Sequence, residues 1–256
     1  MRCIEKPNLP TTKVKKVIIS PIKEQVILGL KQLGIEPIFT EIGDLERLPV
    51  AHHADMSAHH LGGKQMLVRD GDMWLTKALI NNGFEVAFSK VGENYPSDCA
   101  LNCMRIGNIV IAGKNSISRE IKSFCYENGQ IINYVNQGYA KCSTAIVAKN
   151  AIITADVGIA KEASELGIDV LIIKEGNIAI NKYDTGFIGG TCGKLSHDIL
   201  AFCGNVKAHP SFEEIIFFCR SHEVYCEQIC GGELFDIGGI LPITESELKN
   251  CLLKSS

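Results

Sequence analysis

The chain has 256 residues, of which 46% are hydrophobic and 21% charged, and its formal net charge is −3. This length can bury a large hydrophobic core without disulfide bonds, and we predict a single domain over residues 1–256. The near-neutral charge argues against a strongly basic nucleic-acid-binding protein and against an acidic disordered chain. No apolar segment reaches the ~18–20 residues of a membrane-spanning helix. The first residues lack the hydrophobic stretch of a signal peptide, so we expect a cytoplasmic protein.

Cysteine is an unusual feature of the composition, because the chain contains 11 of them. An odd number without any C-x-x-C motif argues against a disulfide framework and against a local zinc-binding motif. In a reducing cytosol these side chains are expected to remain thiols. We therefore predict that most of them are small, buried hydrophobic side chains.

The predicted secondary-structure elements alternate in a regular order along the chain. A β-branched strand at 16–20 is followed by a helix at 21–34, in which apolar residues recur every three or four positions, and by a strand at 36–39. Two strands joined by turn residues, the pattern of a β-hairpin, then precede each later helix. The hairpins begin near residues 54, 97, 140, 187 and 235; the later helices are 73–83, 116–129, 158–167 and 210–221, and the strands after them are 85–88, 131–134, 169–173 and 224–229.

These elements form one unit, strand–strand–helix–strand, which recurs five times at intervals of roughly 43 to 49 residues. The chain begins with strand 16–20, which has no hairpin partner before it, and ends with a strand at 236–244, which has no partner after it. Pairing these two strands would complete the fifth unit, close a ring and remove an exposed sheet edge. An ordinary doubly wound α/β domain is the alternative, although it would place single strands rather than hairpins between the helices.

Three short sequences add a closer likeness to this repeat pattern: Tyr95-Pro96-Ser97-Asp98, GFIGG at 186–190 and DIGGILP at 236–242. On these features the chain resembles the pentein superfamily of guanidino-group-modifying enzymes, and within it an uncharacterised bacterial branch, a domain of unknown function. The resemblance implies an α/β fold, a five-bladed α/β propeller of pseudo-fivefold ββαβ repeats closed by pairing of the N- and C-terminal strands.

The same resemblance implies a catalytic mechanism with particular residue types. In this superfamily a Cys in the last repeat attacks the guanidinium carbon, a His-x-Asp or His-x-Glu pair in the fourth repeat supplies a proton, and further carboxylates bind the guanidinium nitrogens. A thiolate suits attack on that carbon, and paired carboxylates suit a planar cation. Here Gly238-Gly239 are followed by Ile240, Leu241 and Pro242 rather than by a Cys, and positions 189–191 hold neither His nor a carboxylate. The standard nucleophile and proton donor are therefore expected to be absent.

The residues that open the hairpins are the main candidates for a functional site. Matching positions of a closed ring are related by about one-fifth of a turn, so they converge although about 45 residues separate them in sequence. The predicted site consists of Asp55, Asp98 and Asp236 as ligand-binding carboxylates, His53 as a base and Cys142 as a nucleophile. Lys141 is expected to favour the Cys142 thiolate. The alternative for each Asp is that it caps a turn.

Converging carboxylates in a partly dry channel need a partner, because they cannot all remain charged side by side. A small cationic or amidine-like compound would satisfy them, and we predict a ligand of this class. No nucleic acid, membrane, metal or cofactor is predicted as a partner. The glycine-rich segment 189–193 lacks the following helix that a dinucleotide-binding loop needs.

Four of the seven histidines lie within residues 52–60. Three interpretations remain open for this cluster. In the first, its members are solvated loop side chains or a core His held by Asp55. In the second, His53 and Asp55 form a general base. In the third, residues from other repeats complete a metal site. The spacing matches no recognised zinc motif.

Two functions of different classes follow from these features. The first is an enzyme or binding protein for a small guanidino or amidino compound; an enzyme of this kind would be a hydrolase or transferase acting on C–N bonds. The second is a non-catalytic propeller that serves as an interaction module. The missing Cys and His favour the second function, whereas the predicted carboxylates favour the first.

Overall fold

The computed structural model describes residues 1–42 and 49–247 of the chain. Small sheets alternate with helices throughout these residues. The helices are α1 (Glu24–Gln32), α2 (Ala54–Ser57), α3 (Met73–Asn81), α4 (Arg119–Glu127), α5 (Val157–Glu165) and α6 (Phe212–Ser221). The strands are β1 (Arg2–Cys3), β2 (Val14–Ile19), β3 (Glu36–Phe39), β4 (Ala58–Gly62), β5 (Gln65–Arg69), β6 (Glu85–Ser89), β7 (Met104–Ile106), β8 (Ile109–Gly113), β9 (Ile131–Val135), β10 (Thr144–Ala148), β11 (Ala151–Thr154), β12 (Asp169–Ile172), β13 (Cys192–Ser196), β14 (Ile199–Phe202), β15 (Tyr225–Gln228) and β16 (Leu241–Glu245).

Four sheets share one topology. In each, an antiparallel hairpin is followed by a helix and by a third strand that runs parallel to the second: β4-β5-β6, β7-β8-β9, β10-β11-β12 and β13-β14-β15. In the third of these, Thr144 pairs with Thr154 across the hairpin, and Ala151 pairs with Asp169 across the parallel ladder. The hairpin–helix–strand order predicted from the sequence is therefore present four times.

The fifth sheet combines the two ends of the chain in the order β1-β16-β2-β3. Strand β16 is antiparallel to β2, with Leu241 opposite Ile18, and β2 is parallel to β3. The last strand begins at Leu241 rather than at 236, because Gly238 and Gly239 have φ angles of +76° and +79°, which belong to turns. Strand β1 was not predicted; it pairs with β16. The chain is thus a mixed α/β fold with repeated small sheets.

The segments that open the hairpins differ from the sequence prediction. They were expected to continue directly as strands, but short helical turns precede the strands at three of them: α2, and 3-10 turns at Ser97–Cys99 and Ile188–Thr191. Strand β7 consequently begins only at Met104. A turn presents successive side chains in different directions, so these segments can direct polar groups to a common point while the strands remain apolar.

Side-chain caps determine where several helices begin. Ser118 accepts a hydrogen bond from the backbone N–H of Ile121, so the helix predicted at 116–129 begins only at Arg119. Asp156 caps α5 in the same way through the N–H of Ile159. Such caps satisfy amide groups that a helix leaves without partners at its first turn.

The hydrophobic core is divided into clusters that lie between neighbouring units. One cluster combines Met104 and Ile111 from one sheet with Ile152 and Ile159 from the next unit. Another combines Leu195 of β13 with Leu30 of α1, and so joins the fourth repeated sheet to the N-terminal unit. Burial of these side chains, at about 25 cal/mol per Å² of apolar surface, is the main force that holds adjacent units together.

The ten cysteines within the described residues are free thiols, and most of them are buried. Examples are Cys203 and Cys219, which are fully inaccessible to solvent and pack among aliphatic side chains. None of the described helices is long and apolar enough to cross a membrane.

Candidate functional site

Three of the predicted site residues come together although they belong to different units. His53 Nδ1 or Nε2, Cys142 Sγ and an Asp236 carboxylate oxygen all lie within 4.8 Å of one another. All three side chains are buried, and they line one cavity of about 160 Å³. The cavity is the candidate functional site.

Asp236 is held by two backbone amides. Its Oδ2 accepts a hydrogen bond from the N–H of Phe187 at 2.8 Å, and its Oδ1 accepts one from Gly238 at 2.9 Å. Burial raises the pKa of Asp236 to about 6, because the desolvation of its charge outweighs the two amide hydrogen bonds and the positive charge of Lys141. The carboxyl group therefore changes its charge close to neutral pH.

His53 lies beside this carboxyl group, with its Nδ1 3.7 Å from Asp236 Oδ1. The loop at Gly238 packs directly against His53, and the Gly238 carbonyl accepts a hydrogen bond from the N–H of Asp55 at 3.2 Å. Burial lowers the pKa of His53 to about 3, so the imidazole is neutral at physiological pH. The neutral ring offers a nitrogen lone pair to a reacting group, although the burial that keeps it neutral also opposes its protonation.

Cys142 is paired with the other carboxyl group of the site. Its Sγ donates a hydrogen bond to Asp55 Oδ2 at 2.7 Å, whereas Asp55 Oδ1 has no hydrogen-bond partner. Burial raises the pKa of Asp55 to about 7, with Lys141 and the thiol opposing the shift. Burial and the Asp55 charge together raise the pKa of Cys142 well above its ordinary value. The expectation that Lys141 makes Cys142 a thiolate is therefore wrong for this structure.

Asn102 fixes the position of Cys142 and was not identified from the sequence. Its Oδ1 accepts hydrogen bonds from the N–H groups of Lys141 and Cys142 at 2.9 and 3.1 Å, and its Nδ2 lies 3.6 Å from Cys142 Sγ. The only feature of the sequence that could have indicated it is its position, four residues after Asp98 in the segment that opens the second hairpin.

Asp98 lies close to the site but outside the set of residues that line the cavity. It accepts hydrogen bonds from the Tyr139 hydroxyl at 3.0 Å and from Cys99 Sγ at 3.2 Å. The Tyr139 ring does line the cavity. In this arrangement Asp98 orients a tyrosine, whereas its predicted contact with a ligand stays a prediction.

The histidines at 52–60 are buried, so their interpretation as solvated loop side chains is wrong. His52 Nδ1 pairs with Ser20 Oγ at 2.8 Å, His60 Nε2 with the Gly63 carbonyl at 3.0 Å, and His59 lies near Cys103 Sγ at 3.7 Å. The core His held by Asp55 is also not found: His53 lies against Asp236, while Asp55 turns to Cys142. The reason is that Asp55 belongs to the helical turn α2 rather than to an extended strand.

The trio of His53, Cys142 and Asp236 offers the donor atoms that zinc prefers. Their spread of up to 4.8 Å is wider than the about 3.5 Å between ligands in a tetrahedral zinc site. These side chains would have to move inward to hold such an ion. The absence of a metal from the predicted site remains a prediction.

Comparison with solved structures identifies the class of fold. An inosamine-phosphate amidinotransferase from Streptomyces griseus is similar with a TM-score of 0.57 at 9% sequence identity, over 96% of this chain and 98% of that chain. An amidinotransferase of the saxitoxin biosynthetic pathway from Microseira wollei gives 0.55 at 11%, over 94% and 98%. An agmatine deiminase from C. jejuni gives 0.52 at 9%, over 88% and 90%. The chain therefore has the pentein fold that its sequence resembles.

Within this fold the chain belongs to the Family of unknown function (DUF6873), whose model matches residues 17–241. A comparison with curated proteins finds no match. The identities of 9–11% to the solved structures establish a common fold and leave the activity to be argued from the site.

A glycine beside Asp236 gives a first testable prediction. A Cβ atom at Gly190 would overlap the Asp236 carboxyl group, whereas one at Gly231 would meet open space. We expect Gly190→Ala to lower the free energy of unfolding by about 1–3 kcal/mol, because this overpacking cannot relax without moving Asp236. Thermal unfolding measures the effect, with Gly231→Ala as the matched control. Equal melting temperatures for the two variants would contradict the close packing at Gly190.

Proposed function

We propose that the chain binds a small guanidinium or amidinium cation in the cavity formed by His53, Cys142 and Asp236, and that Cys142 attacks its central carbon. The observation that supports the proposal is that a thiol, an imidazole and the Asp236 carboxyl group line one cavity, while the Asp55 carboxyl group, which does not line it, accepts a hydrogen bond from the thiol. A planar cation with several N–H donors complements two carboxylates, and its carbon requires a sulfur nucleophile.

The electrostatics of the site favour a cationic ligand. Asp55 and Asp236 are both fully buried, and each charge raises the energy of the other's ionisation, which the charge of Lys141 offsets only in part. A cation bound beside Asp236 would stabilise both carboxylates and would also lower the pKa of the neighbouring Cys142 thiol. Binding of the substrate would thus favour the Cys142 thiolate.

The proposed reaction divides the proton transfers between Asp55 and His53. The Cys142 proton moves to Asp55 Oδ2, which already accepts the Sγ–H hydrogen bond. Sγ then bonds to the amidinium carbon, and the C–N bond to the departing amine breaks as that amine takes up the proton from Asp55. Water or a second amine then bonds to the same carbon while it gives a proton to His53, the C–S bond breaks, and His53 passes that proton to Sγ, which restores the thiol. The first case is a hydrolase and the second a transferase.

The proposed residues match the types used in the resembled superfamily but occupy other units. The thiol is in the third unit instead of the last, and the His-x-Asp pair, His53 and Asp55, is in the first unit instead of the fourth. A closed five-bladed propeller would allow this exchange, because its five units are equivalent by rotation. The pairing of β16 with β2 and the apolar cluster between β13 and α1 support such closure.

The alternative is a non-catalytic interaction module, which is supported by the lack of a Cys directly after Gly238-Gly239. A thermal-shift screen with arginine, agmatine, creatine, methylarginines and methylguanidine separates the two functions, since an interaction module has no reason to be stabilised by any of them. We place the protein in the cytoplasm, where a reducing environment would keep Cys142 as a thiol.

A pair of alkylating agents tests charge recognition and thiol reactivity together. 2-Chloroacetamidine and 2-chloroacetamide have similar shapes, but only the first is a cation at neutral pH. We expect the cation to alkylate Cys142 at least about 100-fold faster relative to its rate with a free thiol, because two carboxylates attract it. Mass spectrometry of the Cys142 peptide measures both rates.

The Asp236→Asn variant is the control for this comparison, because it removes one carboxylate and leaves the thiol in place. We expect the preference for the cation to fall by at least about tenfold in this variant. Equal alkylation of Cys142 by both agents in the unmodified protein would overturn the proposed function.

A further inference from the structure

The wall of the cavity differs chemically from its base, by which we mean the end formed by His53, Cys142 and Asp236. Above His53, Cys142 and Asp236, the lining residues are mostly aromatic or aliphatic: Val50, Tyr139, Ile180, Tyr183, Thr185 and Phe187. Among the lining residues that the structure describes, none is Arg or Lys. A substituent on a guanidinium bound at the base therefore lies against rings and methyl groups.

The aromatic part of the wall is continuous. The rings of Tyr139 and Phe187 are 5.9 Å apart at an interplanar angle of 32°, and the Tyr95 ring follows 5.7 Å from Tyr139. Phe187 also contacts the base of the cavity, because its backbone N–H donates a hydrogen bond to Asp236. Phe187 thus connects the wall of the cavity to its base.

The Tyr139 hydroxyl is already engaged. It donates its proton to Asp98 Oδ2 at 3.0 Å, so it has no proton to offer to an anionic group of a ligand. Donation to a carboxylate also increases the electron density of the ring, which strengthens its attraction for a cation over its face. Asp98 consequently acts on a bound cation through the Tyr139 ring.

An anionic substituent would be poorly placed in this cavity. It would lose water, lie near the Asp236 carboxyl group, and meet aromatic rings, whose faces carry a negative electrostatic potential. The cavity of about 160 Å³ is also smaller than the 300–1,000 Å³ typical of drug-sized ligand sites. A short apolar substituent fits these conditions.

Resting on the proposed function, we infer that the ligand is a small amidinium or guanidinium compound whose substituent is uncharged and apolar, not an amino acid such as arginine with a carboxylate. The aromatic strip of Tyr139 and Phe187 selects this substituent, while Asp236 binds the cationic head. Head and substituent are thus recognised by separate parts of one cavity.

Calorimetric titration of the full chain with two matched compounds tests the inference. Butylguanidine and 4-guanidinobutyrate have the same head and nearly the same length, but only the second ends in a carboxylate. We expect butylguanidine to bind at least about 30-fold more tightly, because the carboxylate would be buried without a partner. Equal or tighter binding of 4-guanidinobutyrate or of arginine overturns the inference.

A third compound and two variants separate this inference from the proposed function. Methylguanidine has the guanidinium group with almost no substituent, so it tests the cation-binding part of the cavity alone. If it binds to the unmodified protein and no longer binds to Asp236→Asn, the proposed cation site is supported, whether butylguanidine or 4-guanidinobutyrate binds better. If none of the guanidinium compounds binds, both proposals fail.

Phe187→Ala is expected to weaken the binding of butylguanidine about 3- to 30-fold and that of methylguanidine less, because the variant removes the ring but keeps the backbone amide that binds Asp236. Ile131→Ala, at an exposed residue that does not line the cavity, should leave both affinities unchanged.

Discussion

Replacement of Cys142 with alanine is expected to abolish covalent reaction with amidinium compounds while the cation still raises the melting temperature. The thiol is the only described sulfur that lines the cavity, and the Asp236 carboxyl group that would hold the cation remains in the variant. Removal of a nucleophile typically costs about 10⁴-fold or more in rate. Turnover of a guanidino compound, or alkylation by 2-chloroacetamidine followed by mass spectrometry, measures the loss.

Cys203→Ala is the matched control, because this thiol is equally buried but packs in the core between β14 and the N-terminal unit. It should react like the unmodified protein apart from a small loss of stability. Full activity in Cys142→Ala would remove this residue as the nucleophile. Loss of ligand-induced stabilisation in the same variant would instead show that the thiol itself binds the cation.

Replacement of Asp55 with asparagine is expected to stabilise the ligand-free protein at pH 8 while it abolishes reaction at Cys142. Burial raises the pKa of Asp55 from 3.8 to about 7, so the folded protein retains a proton that the unfolded chain releases above pH 4. The stability that Asp55 contributes is fully present below pH 4 and is lost as the pH rises to about 7. Asparagine does not ionise and avoids this loss.

The expected gain at pH 8 is on the order of 2–4 kcal/mol, or about 5–10 °C in melting temperature. The difference between variant and unmodified protein should shrink as the pH falls and disappear near pH 3. Asp70→Asn, at an exposed carboxylate, is the control and should leave the melting temperature unchanged at each pH. A lower melting temperature for Asp55→Asn at pH 8 would mean that Lys141 neutralises Asp55 in the folded protein.

The Asp55→Asn variant also separates stability from function. The introduced amide oxygen can still accept a hydrogen bond from Cys142, but the amide cannot take the thiol proton. We therefore expect the variant to be more stable than the unmodified protein but unreactive. This combination is expected when a protein buries carboxyl groups for function at the cost of stability.

The order of the secondary structure could be determined from the sequence alone. Hairpins, helices and their parallel strands are encoded by local apolar periodicity and by turn residues, which need no information from distant parts of the chain. The pairing of the terminal strands also followed, because an incomplete unit at each end leaves only one way to complete the fifth sheet. Repeat position was likewise sufficient to nominate Cys142, His53 and Asp236, since equivalent residues of successive units recur at similar depth.

Only the tertiary structure decided how these side chains pair. The sequence placed His53 with Asp55, but the helical turn α2 directs Asp55 to Cys142 and leaves His53 beside Asp236. It also expected a thiolate from the neighbouring Lys141, whereas burial and Asp55 hold Cys142 as a thiol. Charge states depend on desolvation and on partners far apart in the chain, and both are set only when the units pack together.

The aromatic wall was likewise visible only in three dimensions. Tyr139 and Phe187 are 48 positions apart in the sequence, and nothing in their local sequence indicates that their rings meet at 5.9 Å. Asp98 was assigned to the ligand from its repeat position; the structure shows that it accepts a hydrogen bond from Tyr139 and is not among the residues that line the cavity. Repeat spacing specifies which backbone positions converge, whereas the directions of the side chains depend on the turn conformation at each opener.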